Sequence, residues 1–149
     1  MSVGVARGRL AAERKAWRQN HPHGFVAKPD IGLDGSVNLM KWKCFIPGKA
    51  ETDWENGHYP ITLVFSENYP FQPPTCEFPK GFLHPNVYTE GEVCLSILGY
   101  QILVGIQILL NNPNPASPAN SEFNKLFVQD RDEYDRKVRE QAKNYPRVL

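Results

Sequence analysis

Cysteine is scarce in this chain: Cys44, Cys76 and Cys94 are the only three among 149 residues, and no two are spaced C-x-x-C. An odd, widely spaced set argues against a disulfide framework and against a cysteine-rich zinc site. Such usage suits a reducing compartment, so nucleus and cytoplasm are the expected locations. Long apolar runs are missing as well. The longest, "ILVGIQILL", is far too short to span a bilayer, so no membrane association is expected. The opening "MSVGVARGRLAAERKAW" has no apolar stretch flanked as in a signal peptide, and no secretory leader is expected. There is no repeat and no long block of one charge sign. The thirteen prolines gather at breaks such as "YPFQPPTCEFP" and "NNPNPASP", where they act as punctuation.

What is present fits one folded unit. A hydrophobic content of 41% and a charged content of 22% are ordinary for a globular chain, so a single core domain over residues 1–149 is expected. The net charge of +1 conceals an asymmetry. Residues 1–28 carry Arg7, Arg9, Arg14, Lys15, Arg18 and Lys28 against Glu13 alone, a balance of +5, which leaves −4 for the rest. A basic segment of this kind favours an acidic partner, protein or nucleic acid, or else is a solvated helix face.

Periodicity supplies the elements. Val3, Ala6, Leu10 and Trp17 fall near one face of an N-terminal helix that ends before "NHPHG". Met40, Trp42, Cys44 and Ile46 alternate with Lys41, Lys43 and Phe45, as in a half-buried strand. Tyr59, Ile61, Leu63 and Phe65 do the same, and "PPTCEFP" is a short proline-bounded strand. Cys44 and Cys76 lie in these runs and read as core residues. The strands follow closely without helical crossovers, which predicts an antiparallel meander. "QILVGIQILL" is apolar nearly all round, like a buried helix. Ser117–Pro118 reads as a helix cap followed by the first helical residue. A last helix follows, with Asp130 and Glu133 as a capping box and Tyr134, Val138 and Tyr145 as its apolar stripe. The sum is an α+β domain: an N-terminal helix, a four-stranded antiparallel meander and C-terminal helices.

Cys94 carries the chemical question. A hydrolytic cysteine needs a base to form the thiolate and a group to orient that base. His84 and Asn86 supply the right residue types, but Pro85 fixes the backbone between them and both sit on one short irregular segment. A cysteine that merely carries an acyl group has other needs. A strong base beside it would promote hydrolysis of the thioester, while an asparagine amide can donate to the oxyanion formed when an amine attacks.

"HPNVY" followed by "GEVCLSIL", with "YPFQPP" upstream, resembles the active-site region of the ubiquitin-conjugating enzyme family. "RGRLAAERKAWRQNHPHGFVAKP", "NLMKWKCFIPGKAETDWENG" and "QILVGIQILLNNPNP" are similar to its SUMO-carrying branch, with a plant-like character, and the likeness runs nearly end to end. The resemblance implies that fold and a carrier mechanism. Cys94 would take SUMO from the activating enzyme's thioester and pass it to a substrate lysine. Asn86 would stabilise the oxyanion or order the active-site loop, with His84 and Pro85 structural. Tyr88 would shape and partly dry the lysine channel. Arg14, Arg18 and His21 match positions that bind SUMO non-covalently and lie where the activating enzyme docks. SUMO ligases and lysine-bearing substrates are the further partners. No metal and no small cofactor is implied. A catalytically weak SUMO-binding variant and a ubiquitin-carrying enzyme are the alternatives. Nucleic-acid binding ranks below them, because the basic segment lacks the interleaved aromatics of an RNA module.

Three departures stand out against the resemblance. The family has a longer connection after "CLSIL", with acidic residues and a Trp-Arg-Pro, where this chain has only Gly99 and Tyr100 before Gln101. Two extended residues reach about 7 Å, so an altered or frayed start to the next helix and a more exposed Cys94 are expected. Ser117 stands where the SUMO branch has an aspartate near the incoming lysine. Thr75 and Glu77 stand where that branch tends to have lysines, and Glu90 and Glu92 where small uncharged residues are usual. Those four make the substrate groove less basic and favour less acidic target sites.

Overall fold

The computed structural model describes residues 3–93 and 102–148. Helix α1 (Val3–Gln19) is followed by strands β1 (Val26–Ile31), β2 (Val37–Pro47), β3 (His58–Val64) and β4 (Thr75–Glu77), then helices α2 (Ile102–Asn111), α3 (Ser121–Gln129) and α4 (Arg131–Lys143). The strands pair in chain order, each antiparallel to the next, so the meander expected from their close spacing is the observed sheet.

Alternation decides which face is buried. Along β2, Trp42, Cys44 and Ile46 are buried while Lys41 and Lys43 are exposed. The β2–β3 register sets Trp42 opposite Leu63, Cys44 opposite Ile61 and Ile46 opposite Tyr59. Cys76 of β4 faces Leu63 in turn. A period of two thus becomes one continuous apolar surface. Helix α1 contributes Ala6 and Leu10, both fully buried, to the core beneath it. Strand β1 lacks the alternation. It carries Pro29 at a register shift, and its outer edge tolerates the missing donor.

An aromatic cluster underlies the segment after β4. The rings of Phe78 and Phe82 stack at 4.1 Å, and Phe82 meets Tyr59 edge-on at 5.8 Å. The Tyr59 hydroxyl donates to the Trp54 carbonyl at 2.7 Å, so this buried phenol has a partner. Tyr145, expected on the stripe of the last helix, lies just past the end of α4. Its ring still reaches Tyr59 and Phe82, 5.9 Å from each.

Several helix-level expectations need correction. Ile108 of α2 is exposed, so that helix has one open face. It is already helical at Ile102, so the described part of the apolar run yields no turn as linker. Cys94 and the Gly99–Tyr100 connection lie outside the described residues, as do the expected fraying and exposure there. Ser117 does not cap a helix. Asn120 does, its side chain accepting from the Phe123 N–H at 3.0 Å. The N–H groups of Ala119 and Asn120 both donate to the Pro85 carbonyl, at 2.7 and 3.0 Å. That tertiary anchor holds the chain non-helical through Asn120, and Pro118, immediately after Ser117, already disfavours helical geometry at Ser117. The capping box is half formed. Asp130 accepts from the Glu133 N–H at 3.3 Å, but Glu133 pairs with Arg136 instead of reaching back. The Asp130 N–H donates to the Leu126 carbonyl and ends α3.

The two core cysteines yield a direct test. Burial pushes the Cys44 and Cys76 thiols up to about 12, Cys44 further through Cys76, and Cys76 further through Glu77 and Glu92. Thiolate is the reactive form, so both are expected to resist iodoacetamide in the native protein near neutral pH. Mass spectrometry should find one alkylated thiol per native chain and three in denaturant. Rapid native labelling of Cys44 or Cys76 would contradict the packing described above.

Candidate active site

Residues 82–93 form a compact irregular unit on the β4 edge of the sheet. Glu77 and Glu92 pair as an isolated antiparallel bridge, and so do Val87 and Val93. The Val93 N–H donates to the Cys76 carbonyl at 2.9 Å, and the Tyr88 N–H to the Glu92 carbonyl at 2.9 Å. The chain therefore approaches Cys94 along an extension of the sheet, although Cys94 itself is outside the described residues. Gly91, at φ +108°, closes the turn between Tyr88 and Glu92. A Cβ there would collide with the Phe78 carbonyl oxygen, so this position requires glycine on two counts.

His84 is buried completely, and both ring nitrogens are engaged. Its Nε2 donates to the Leu109 carbonyl of α2 at 2.9 Å, and its Nδ1 accepts from the Asn86 N–H at 3.0 Å. These partners fix the neutral Nε2–H tautomer. Desolvation holds the imidazole well below its usual range, at about 4, opposed by the acceptors at Leu109 and Leu110. The ring can neither rotate nor accept a proton without breaking a bond to the fold. A Cys-His-Asn hydrolytic set with His84 as base is therefore incompatible with this geometry.

Asn86 is buried too, and its side chain knits the segment to the loop after α2. Its Oδ1 accepts from the Asn114 N–H at 2.8 Å. Its Nδ2 donates to the carbonyls of Asn114 and Ser117, at 2.9 Å each. Both amide hydrogens are thus committed to the fold. Pro85 is buried and supplies the carbonyl that anchors Ala119 and Asn120. The predicted residues His84, Pro85, Asn86 and Ser117 come together, with Ser117 joined through its backbone and exposed to solvent.

Tyr88 lies on the rim of the same unit, 44% exposed. Thr75, Glu77, Glu90 and Glu92 are all exposed. The Glu77–Glu92 bridge places two of these carboxylates on adjacent strand segments, so with Glu90 this rim carries three exposed carboxylates.

Arg14, Arg18 and His21 are elsewhere. They line a groove between α1 and β1 together with Trp17, Lys28 and Val37. The His21 ring stacks on Trp17 at 4.9 Å, and its Nδ1 donates to the Trp17 carbonyl at 3.0 Å. This groove belongs to the β1 edge and the segment 82–93 to the β4 edge, so the two sites are on opposite sides of the sheet. Among the described residues no cluster of His, Cys, Asp or Glu could hold a metal ion, and no helix is long and apolar enough to cross a membrane.

Sequence reasoning missed the residues that hold this site from behind. Asn114 sits in a turn-forming "NPNP", where asparagine reads as loop chemistry and its partner cannot be seen. Gln141 is more legible in hindsight: it falls at position 141 of the 134–138–145 apolar stripe, a polar side chain on a buried face.

The depressed basicity of His84 sets a pH window. Its folded value, about 4, is below the ordinary 6.5, so the unfolded chain binds the proton first. Its contribution is complete above about pH 6.5 and is lost as pH falls towards 4, amounting to about 3 kcal/mol across the window. Denaturant unfolding from pH 7.5 to 4 is expected to show this slope in the parent. It should be shallower in His84→Gln. Equal slopes would show that His84 is not held neutral.

Residues 9–142 match the family described as ubiquitin-conjugating enzyme. The SUMO-conjugating enzyme SCE1 of Arabidopsis thaliana is 59% identical over 160 aligned positions, covering all of both chains. The Sumo-conjugating enzyme ubc9 of Dictyostelium discoideum is 51% identical, over 97% of this chain and 98% of its own. The SUMO-conjugating enzyme UBC9 of Caenorhabditis elegans is 46% identical, over 98% and 95%. With its full-length relatives, its antiparallel meander and the His84–Pro85–Asn86 segment built against the route to Cys94, this chain belongs to the ubiquitin-conjugating enzyme family.

Proposed function

We infer that the protein is a SUMO-conjugating enzyme that carries the modifier on Cys94. Full-length similarity to SUMO-conjugating enzymes supports the modifier. The observation that carries the mechanism is the His84 ring, buried, neutral and bonded at both nitrogens. A motif histidine so placed offers no base to activate water against a thioester, which suits a carrier and not a hydrolase.

In the loading step, the Cys94 thiolate attacks the thioester carbonyl on the activating enzyme and displaces that enzyme's thiolate. In transfer, a lysine amine attacks the new thioester. The C–N bond forms, the C–S bond breaks, Cys94 leaves as thiolate and the amine proton passes to solvent. Tyr88, on the rim, shapes and partly dries the approach of the amine. Asn86 acts first as organiser, because its amide hydrogens hold Asn114 and Ser117. It can donate to the oxyanion only by releasing one of them. The groove containing Arg14, Arg18 and His21 receives SUMO non-covalently or the activating enzyme. SUMO ligases join at further surfaces, and nucleus and cytoplasm are the locations.

The alignment to the Arabidopsis relative spans 160 positions against 149 residues here, so at least eleven of them face no residue of this chain. A shortened connection after Cys94 accommodates that difference. Thr75, Glu77, Glu90 and Glu92 form the less basic rim of the substrate groove.

The decisive experiment is charging with ATP, SUMO-activating enzyme and SUMO, alongside ubiquitin reactions, on non-reducing gels. A thiol-sensitive SUMO adduct is expected, lost in Cys94→Ala and converted to a more stable oxyester in Cys94→Ser. No adduct from folded protein would refute carriage, and a ubiquitin adduct alone would reassign the modifier. Ser117 is tested separately. An acid at this exposed position would attract the lysine ammonium and orient it, so Ser117→Asp is expected to speed discharge to free lysine without altering loading. Equal single-turnover rates would remove Ser117 from the transfer site.

A further inference from the structure

Gln141 is a polar residue on the inward face of α4, only 6% exposed, where Tyr134, Val138 and Ala142 are its buried companions. Its side-chain amide makes a two-point contact with a single residue. Oε1 accepts from the Leu83 N–H at 2.7 Å, and Nε2 donates to the Leu83 carbonyl at 3.0 Å. The amide thereby imitates a neighbouring strand, matching donor to acceptor and acceptor to donor. Leu83 lies in irregular backbone that no strand covers, and Gln141 satisfies both of its main-chain groups.

The position of that contact matters. Leu83 immediately precedes His84, whose ring receives the Asn86 N–H, and the Asn86 side chain holds Asn114 and Ser117. Helix α2 fixes this segment through the Leu109 carbonyl, and the loop before α3 fixes it through Ala119 and Asn120. Gln141 is the matching restraint from α4, at the upstream end. Without it the backbone at Leu83 is free to tilt, and His84 and Asn86 tilt with it.

We propose that Gln141 is a positioning residue for transfer from Cys94, setting the register of the His84–Pro85–Asn86 segment through its paired hydrogen bonds to Leu83. This rests on the reading of Cys94 as the SUMO carrier. Hydrophobic packing alone would accept a leucine or methionine at position 141. The paired bonds require one donor and one acceptor in a fixed plane.

Glutamate supplies the test, because its function depends on its proton. A neutral carboxylic acid offers one acceptor and one O–H donor, like the amide, whereas a carboxylate has no donor and faces the Leu83 carbonyl. Burial raises a carboxyl pKa, so the switch falls within a workable range. Parent, Gln141→Glu and Gln141→Met would be loaded with SUMO, the activating enzyme stopped by chelating magnesium, and discharge to lysine followed in single turnover. Rates of each variant relative to the parent, from about pH 6 to about pH 8.5, remove the pH dependence of the amine itself.

Loading is expected to be normal in all three. At the alkaline end, discharge from Gln141→Glu should be on the order of tenfold slower than from the parent. It should approach the parent on acidification, while Gln141→Met stays slow throughout. A Glu:parent ratio that does not change with pH would overturn the proposal, as would loading defects equal to the discharge defects. Hydrogen exchange in the unaltered protein is an independent check that needs no variant: the Leu83 amide should be protected as well as that of Asn86, and rapid exchange at Leu83 would also overturn it. A parent that fails to load would refute the functional reading itself, and is recognised before any variant is compared.

Discussion

The active-site architecture depends on a single neutral imidazole. His84 is shut away from bulk solvent, so its protonation state is imposed by burial and its orientation by two main-chain partners. One partner is on α2 and the other is two residues along its own chain. The ring therefore fastens the β4-side segment to the helical half of the molecule. The backbone on either side is fastened as well: Leu83 by Gln141 and Pro85 by Ala119 and Asn120. The four consecutive residues 83–86, without regular secondary structure, are held because helices or loops on three sides satisfy their polar groups.

Asn86 inherits its place from that scaffold. A buried amide with every hydrogen committed is stable but unavailable. Moving one hydrogen from the Ser117 carbonyl to a developing oxyanion exchanges a neutral acceptor for a charged one, and bonds to charged groups are roughly twice as strong. The exchange is favourable only while negative charge is present. On the proposed function, the same side chain would order the loop at rest and assist transfer at the transition state, the two roles being successive states of one donor. Release of Ser117 would also loosen the exposed stretch bearing it, which lies between Asn114 and the α3 cap.

Much of this was legible in the sequence, and the boundary follows physical lines. The sheet could be read because β2 and β3 bury alternate residues on a single face, which leaves a period-two trace. Strand β1 left none, since its sides are both partly covered. Helix α4 announced itself through Asp130 and its apolar stripe. The start of α3 did not: Ser117 has the residue type of a cap, but the helix is capped by Asn120, three residues further on. The choice was made by the Pro85 carbonyl, more than thirty residues upstream. His84 and Asn86 could be named from residue type and the resemblance, but their hydrogen-bond partners are main-chain atoms of Leu109, Asn114 and Ser117. Main-chain groups carry no sequence signature, so the rigidity of the site could not be foreseen from side-chain identities. Gln141 was missed although it left a trace, an amide where the stripe called for an apolar residue.

Charge is arranged on the same plan of separated edges. The basic groove is bounded by α1 and β1, and the acidic rim by β4 and residues 90–92. Three strand spacings separate the outer strands, about 14 Å, whereas the screening length at physiological salt is about 8 Å. The N-terminal excess of +5 is therefore not cancelled by Glu77, Glu90 and Glu92, despite a net charge of only +1 for the chain. An acidic partner approaching α1 meets an essentially undiminished positive surface. A substrate approaching Tyr88 meets an essentially undiminished negative one. Substitutions at either edge should alter recognition there while leaving the other edge little affected, because through solvent the fields scarcely overlap.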